Sequence, residues 1–457
     1  MDTMDTHYTH AHPHMNGRTR NPEGTARCVI DQQPQRVQRV SPTVSTPPLV
    51  LIHGIKGCHL IRRGSTSHCL TCMSRRPFLN VENVLIGPCC GTDQFPLPWR
   101  YDRSGLQGRD GLEPDGLVMD ITCCGTCVYM DMYKPLIEWA EQTGRRLRPF
   151  AYDWRRSPLE NGYALERFLE KVLREDDSAY DGGVQVVCHS NGALVAFPVV
   201  NRRPELFHSF LGVGAAFRGG MTFLPNNCIP GGGNTLGPNT TMFTPRHWHG
   251  WTAGYYFLPN KDDWNDRAAA ERPHLVEADG LTEVACDFHT LEDWERCRLG
   301  PFDPRSGCAA EMRTPANRAF FRETLRQAKA FRKLMVYDPN VDYPPIAVLA
   351  SDAVATHSTV RRPTPDAPFD FLFPGDPDPL DPSAKTATAT PGDGCGGLIT
   401  PGDGLIPIDR CTPPEPVPVF KKVVTKDTHL GLARNVAAIE TLLNEMIDAA
   451  NARGNGS

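Results

Sequence analysis

Val184-Gln-Val-Val-Cys-His-Ser-Asn-Gly-Ala-Leu-Val-Ala196 reads as an apolar strand, a sharp turn through Ser190 and Gly192, and the start of an apolar helix. A serine at such a strand-to-helix turn is where a nucleophile elbow holds a strained backbone, and small neighbours let the hydroxyl project toward substrate. Cys188 stands where the pattern G-x-S-x-G has its first glycine, so a bulkier side chain must fit before the turn. Taken alone, the segment suits an ordinary serine in a buried βα turn about as well as a nucleophile. What surrounds it decides between the two.

Upstream, Pro47 to Ile52 is a short apolar run that stops at His53-Gly54, as a buried parallel strand does before a tight turn. From Lys56 to about Tyr129 the chain is rich in Gly, Pro and Cys with little periodicity, which predicts a lid-like surface excursion over 57–130 instead of regular layers. Tyr133 to Thr143 has helical spacing (Leu136, Ile137, Ala140), with Gly144 at the C-cap position. Arg148 to Trp154 then predicts a strand, and Ala164 to Leu173 a helix. Downstream of Ser190, Pro198 predicts a kink or an early helix end, and Ser209 to Val213 is the next strand.

This alternation implies an α/β fold: a mostly parallel central sheet with right-handed crossovers and helices on both faces. The rhythm breaks at Ala215 to Asp342, which holds an aromatic cluster from Trp248 to Phe257 and a helix near Pro315 to Leu334. Strands return at Ile346 to Ala350 and Val417 to Val424, and a helix follows at Leu432 to Ala449. The expected division is a disordered polar tail at 1–46, a core at 47–214, a cap insertion at 215–342, and a second core part at 343–450 carrying a Pro/Gly-rich loop at 361–401.

Acyl transfer by serine needs a base within hydrogen-bond reach, a carboxylate orienting that base, and amide donors for the oxyanion. The α/β-hydrolase arrangement demands them in the order Ser, Asp or Glu, His. Here Asp403 lies in Pro-Gly-Asp-Gly-Leu-Ile-Pro and His429 lies in Asp-Thr-His-Leu-Gly-Leu beyond the last strand. Asp393, in a second Pro-Gly-Asp-Gly, is the rival acid; Asp403 is favoured because an apolar pair and a proline follow it. Asp427 is a weaker partner for His429. The oxyanion donors are expected to be the backbone amides of Ile55, in the His-Gly loop, and Asn191, next to the nucleophile.

Composition narrows the partners. The 457 residues carry a net charge of −5 with both signs interspersed, which argues against a nucleic-acid surface. No apolar run approaches the roughly 18 to 20 residues of a membrane-spanning helix. The first residues, with His7, His10, His12 and His14, lack a secretory apolar segment, so a cytoplasmic enzyme is the expectation. The 16 cysteines bunch at Cys69/Cys72, Cys89/Cys90 and Cys123/Cys124/Cys127, with only half a zinc-ribbon spacing, so neither a metal nor any cofactor is expected. Nothing in the composition sets the oligomeric state.

Together these residues resemble the lecithin:cholesterol acyltransferase-like proteins, the group that contains lysosomal phospholipase A2 and phospholipid:diacylglycerol acyltransferase. The similarity runs from about Pro48 to Asn435. It rests on Leu51-Ile-His-Gly-Ile-Lys-Gly57, Pro114-Asp-Gly-Leu117, Ala151-Tyr-Asp-Trp-Arg155, Cys188-His-Ser-Asn-Gly192, Gly402-Asp-Gly-Leu-Ile-Pro407 and Thr428-His-Leu430. The resemblance implies an α/β-hydrolase with a cap and lid, acting on phospholipid or neutral-lipid acyl esters at a membrane or lipid-droplet surface and transferring the acyl group to water or an alcohol. It also implies that Trp248, Trp251, Tyr255 and Tyr256 in the cap line an acyl chain, against which stands plain packing of the cap. Asn191 replaces the apolar residue that usually follows the serine. The competing readings are a non-catalytic lipid-binding protein on the same fold and a general carboxylesterase for small esters.

Overall fold

A computed structural model describes residues 46–62, 96–123, 127–175, 182–221, 224, 245–259, 274–369, 377–378, 381–385 and 399–454. Leu49–Ile52 (β1), Leu147–Phe150 (β2), Val184–His189 (β3), Phe207–Val213 (β4), Ile346–Ser351 (β5) and Lys421–Thr425 (β6) form one six-stranded sheet in the order β6-β5-β4-β3-β1-β2. Every neighbouring pair is parallel. β1, β3, β4 and β5 are buried at every position, as strands covered on both faces are. The edge strand β6 presents Lys421 and Lys422, charges that discourage pairing with another chain.

Among the described residues the α-helices are Lys134–Thr143 (α1), Pro158–Glu175 (α2), Gly192–Arg202 (α3), Pro245–Gly250 (α4), Leu291–Arg296 (α5), Pro315–Arg332 (α6), His429–Arg434 (α7) and Val436–Gly454 (α8). α2 packs on α3, which itself lies on β1 and β3, whereas α8 packs on β4, β5 and α1. The sheet is thus sandwiched between two helical layers, the arrangement of an α/β-hydrolase. Among the described residues no helix is long and apolar enough to cross a membrane.

Several sequence expectations are corrected. α3 does not end at Pro198 but runs on to Arg202, because the loss of one backbone bond is outweighed by a helix buried from Gly192 to Val200. The helix expected from Leu432 begins at His429 itself, where the Thr428 Oγ1 accepts the Gly431 N–H at 3.2 Å. It then gives way to α8 after Asn435. The excursion contains regular structure: Cys58–Arg62 pairs antiparallel with Leu112–Leu117, and Asp120–Cys123 with Cys127–Asp131. The first ribbon is held by non-local pairing, and both are too short to leave much periodicity to read. The strand expected over Arg148 to Trp154 stops at Phe150, and the one expected from Val417 starts at Lys421. The tail at 1–45, Asp393, Cys69, Cys72, Cys89, Cys90 and Cys124 lie outside the described residues.

A buried charge cluster anchors the excursion. The Arg155 guanidinium donates from Nε and Nη2 to Asp153 at 2.9 and 2.8 Å, and from Nη1 to Asp110 at 2.5 Å. Arg155 is wholly buried. Arg155→Met is expected to lower unfolding stability by about 3–5 kcal/mol, because two carboxylates lose their counter-ion where water cannot replace it. Urea unfolding of the variant checks this; a loss under about 1 kcal/mol would contradict it.

Between β3 and β1 the strand order reverses direction, since the chain goes outward to β2 and then returns to build β3 through β6 on the other side. In open α/β sheets the crevice beyond the carboxyl ends of the strands at such a switch point is where ligands bind. The loop from His53 and the turn at Ser190 both leave the sheet there.

Candidate active site

Ser190 has φ +55°, a left-handed conformation that costs a non-glycine residue about 1–3 kcal/mol. Its N–H is held by the Val213 carbonyl at 3.0 Å, so the turn is fixed by the neighbouring strand β4. Gly192 is required here: a Cβ on it would lie 2.7 Å from the Ile52 carbonyl oxygen. The β1 loop comes equally close, and a Cβ at Gly54 would stand 2.8 Å from the Ser190 Cβ.

Asp403 and His429 are joined twice. The His429 Nδ1–H donates to Asp403 Oδ2 at 2.7 Å, and the His429 backbone N–H donates to the Asp403 carbonyl at 2.9 Å. Asp403 Oδ1 accepts the Leu405 and Ile406 N–H groups at 2.9 and 2.7 Å. The turn itself is held by Thr356, whose Oγ1 accepts the Gly404 N–H at 2.9 Å and donates to the Val354 carbonyl at 2.9 Å. Thr356 belongs to the strand Val354–His357, which pairs antiparallel with Ile399–Gly402 just before the acid. Asp427 instead accepts from the Asn435 side chain at 2.7 Å.

Burial raises the Asp403 pKa, but the charge of His429 and the hydrogen bonds from His429, Ile406 and Leu405 outweigh it and leave the carboxyl below the usual range. A folded-state value below the unfolded one contributes stability above about pH 4, which is lost as pH falls through the folded value. Asp403→Asn is therefore expected to lose less stability than the parent between about pH 6 and pH 3. Denaturant midpoints at the two pH values check it; parallel losses would contradict it.

The residue after the Val213 that holds the Ser190 N–H, Gly214, lies against this pair. Gly214 has φ +51°, and a Cβ there would lie 3.1 Å from Asp403 Oδ2 and 3.2 Å from His429 Nδ1. The His189 and His429 rings are 4.9 Å apart. Ser190 and His429 are both buried, with 8% and 5% of their surface exposed. Among the described residues no hydrogen bond joins the Ser190 hydroxyl to His429.

Ile55 follows Gly54 in the loop beside the nucleophile, and Asn191 is the N-cap of α3, where amides lack helical partners. Of Trp248, Trp251, Tyr255 and Tyr256, Trp248 stands next to the loop that follows β1, with the Lys56 ammonium 4.7 Å above its ring. Trp251 sits edge-on to both Trp154 and Trp248. Tyr255 and Tyr256 pack edge-on to Phe321 and Phe331 of α6.

Sequence reasoning missed His189, Tyr133, Tyr152 and Thr356. Tyr133 bonds both the Gly54 N–H and His189 Nδ1, and Tyr152 bonds both the Asn191 side chain and the His53 carbonyl. The available signal was that Tyr152 and His53 both sit where a core strand ends toward the serine.

Residues 117–233 match the family described as LCAT, lecithin:cholesterol acyltransferase. That span contains Arg155 and Ser190 and ends before Asp403. A lysosomal phospholipase A and acyltransferase of Mus musculus is 33% identical over 207 residues, 39% of this chain and 48% of the mouse protein. An uncharacterized protein of Saccharomyces cerevisiae is 23% identical over 365 residues, 67% of this chain and 50% of the yeast protein. A lecithin-cholesterol acyltransferase-like 4 of Arabidopsis thaliana is 25% identical over 134 residues, 28% of this chain and 24% of the plant protein. The chain spans about half the length of the first two of these relatives.

Proposed function

We propose that this chain, which matches the lecithin:cholesterol acyltransferase family over residues 117–233, cleaves lipid acyl esters through an acyl-serine on Ser190 and passes the acyl group to water or to an alcohol. The observation that carries this reading is the His429–Asp403 hydrogen bond of 2.7 Å beside a serine held at φ +55°.

In the proposed reaction the Ser190 Oγ attacks the ester carbonyl while His429 Nε2 takes the hydroxyl proton. Asp403 keeps Nδ1 protonated, so Nε2 is the basic nitrogen, and the carboxylate stabilises the imidazolium that forms. The oxyanion accepts hydrogen bonds from the Ile55 and Asn191 amides. His429 then delivers its proton to the leaving alcohol, and the acyl-serine remains. Water or an acceptor alcohol attacks next, its proton going to His429, and Ser190 is released. The hydroxyl-to-imidazole hydrogen bond forms as substrate enters, since such contacts tighten in the Michaelis complex. In this reading 215–342 is the cap, and Trp248, held against the oxyanion loop by Lys56, lies closest to the acyl chain.

The test is incubation of the pure protein with a labelled phospholipid, with and without a long-chain alcohol, alongside a fluorophosphonate probe. The expected results are a probe adduct on Ser190 and free fatty acid, with new ester appearing when alcohol is present. An unlabelled Ser190 together with intact phospholipid would overturn the proposal in favour of a lipid-binding protein.

A further inference from the structure

The two residues that flank Ser190 reach the same loop by parallel routes. On one side, His189 Nε2 faces the His429 carbonyl at 3.2 Å. A carbonyl only accepts, so Nε2 carries the proton; burial holds the His189 pKa at about 3 and the ring is neutral, which makes Nδ1 an acceptor. The Tyr133 hydroxyl therefore donates to Nδ1 at 2.8 Å and uses its lone pair to accept the Gly54 N–H at 2.9 Å. Every donor and acceptor along Gly54, Tyr133, His189 and His429 has one consistent role.

On the other side, the Asn191 Nδ2 donates to the Tyr152 hydroxyl at 3.0 Å, and that hydroxyl donates to the His53 carbonyl at 2.7 Å. The Tyr152 ring also stacks on the His53 ring at 4.0 Å and 8°, and its backbone N–H donates to His53 Nε2 at 3.1 Å. His53 and Gly54 immediately precede Ile55. Both tyrosines, His53, His189 and Asn191 are essentially buried, so water cannot substitute for a lost partner.

We propose that Tyr133 and Tyr152 are positioning residues that fix the oxyanion loop relative to the nucleophile turn, with the His189 branch also setting the height of the His429 loop. The inference rests on the acyl-transfer reading above. Rigid phenols suit such a role, since each ring spans the gap between two chain segments and each hydroxyl both donates and accepts. An oxyanion donor displaced by a fraction of an ångström loses much of its effect, because its hydrogen bond is matched to the transition state and not to the ground-state carbonyl.

Tyr133→Phe and Tyr152→Phe keep the rings and remove only the hydroxyls. The readouts are the rate of Ser190 modification by a fluorophosphonate, kcat and KM with a nitrophenyl ester, and the ratio of rates for that ester and its thiono counterpart. Sulfur accepts hydrogen bonds poorly, so the ratio reports how well the amides engage the developing anion. For each variant kcat is expected to fall roughly 10- to 100-fold with KM within about twofold, and the ester-to-thionoester ratio to fall about tenfold. A folded variant with an unchanged ratio and kcat within about threefold would overturn the inference, because a merely structural role predicts that result. Should Tyr152→Phe fail to fold, Asn191→Ala removes only the side-chain link to Tyr152 and carries the same expectation; should Tyr133→Phe fail, His189→Phe removes the link from the Tyr133 hydroxyl to the His429 loop and carries it for that branch. A parent protein that the probe does not label would instead sink the proposed function, and the inference with it.

Discussion

Ser190→Ala is expected to lower kcat for acyl-ester cleavage by about 10⁶-fold and to abolish the fluorophosphonate adduct, while leaving the fold intact. The magnitude follows from how the parts depend on one another: without the hydroxyl, His429 has no proton to move and Asp403 no imidazolium to stabilise. The residual rate is what the oxyanion amides and substrate binding alone supply, about 10³- to 10⁴-fold over water. The fold should survive because alanine meets the same strain at φ +55° and the Ser190 N–H keeps its bond to Val213. Ester hydrolysis by pure variant is the measurement. A loss of under a hundredfold, with no other serine labelled, would show that the chemistry runs elsewhere.

Asp403→Asn is expected to cost about 10⁴-fold in kcat with little change in KM. The asparagine Oδ1 can still accept the Leu405 and Ile406 N–H groups, so the turn persists. Its amide, however, presents N–H where Asp403 Oδ2 meets His429 Nδ1. Two donors cannot face each other, so His429 shifts its proton to Nε2 and offers Ser190 an N–H instead of a lone pair. Steady-state kinetics across pH 6 to 9 check this. Activity within about tenfold of the parent would mean that another carboxylate orients the base.

The central strands were legible because β1, β3, β4 and β5 are covered on both faces and so read as unbroken apolar runs. β6 is an edge strand in which Lys421 and Lys422 precede Val423 and Val424, and its start was misplaced for that reason. The ribbon of Cys58–Arg62 with Leu112–Leu117 depends on a partner about fifty residues along the chain, which no local period announces. For the candidate site, the order of Ser190, Asp403 and His429 was readable, because each follows a strand. The acid was chosen by the residues after it; the structure brings Asp403 to His429 and turns Asp427 toward Asn435. Tyr133 carries no such mark in the sequence, and the strand-end position of Tyr152 hints at the site without revealing its role, since what matters is which chain segments each hydroxyl bridges.

The strand Ile399–Gly402 is zipped to Val354–His357, and Thr356 grips the turn that carries Asp403. The acid's location is thus dictated by a clasp immediately beside it, whatever path the chain takes between Arg361 and Ile399. Doubling the length of such a tether adds only about 0.6 kcal/mol of closure entropy. Added length in the connection between the two strands, placed beyond the buried Phe369, is accordingly expected to leave the carboxylate in register, which gives an engineer a place to insert a tag.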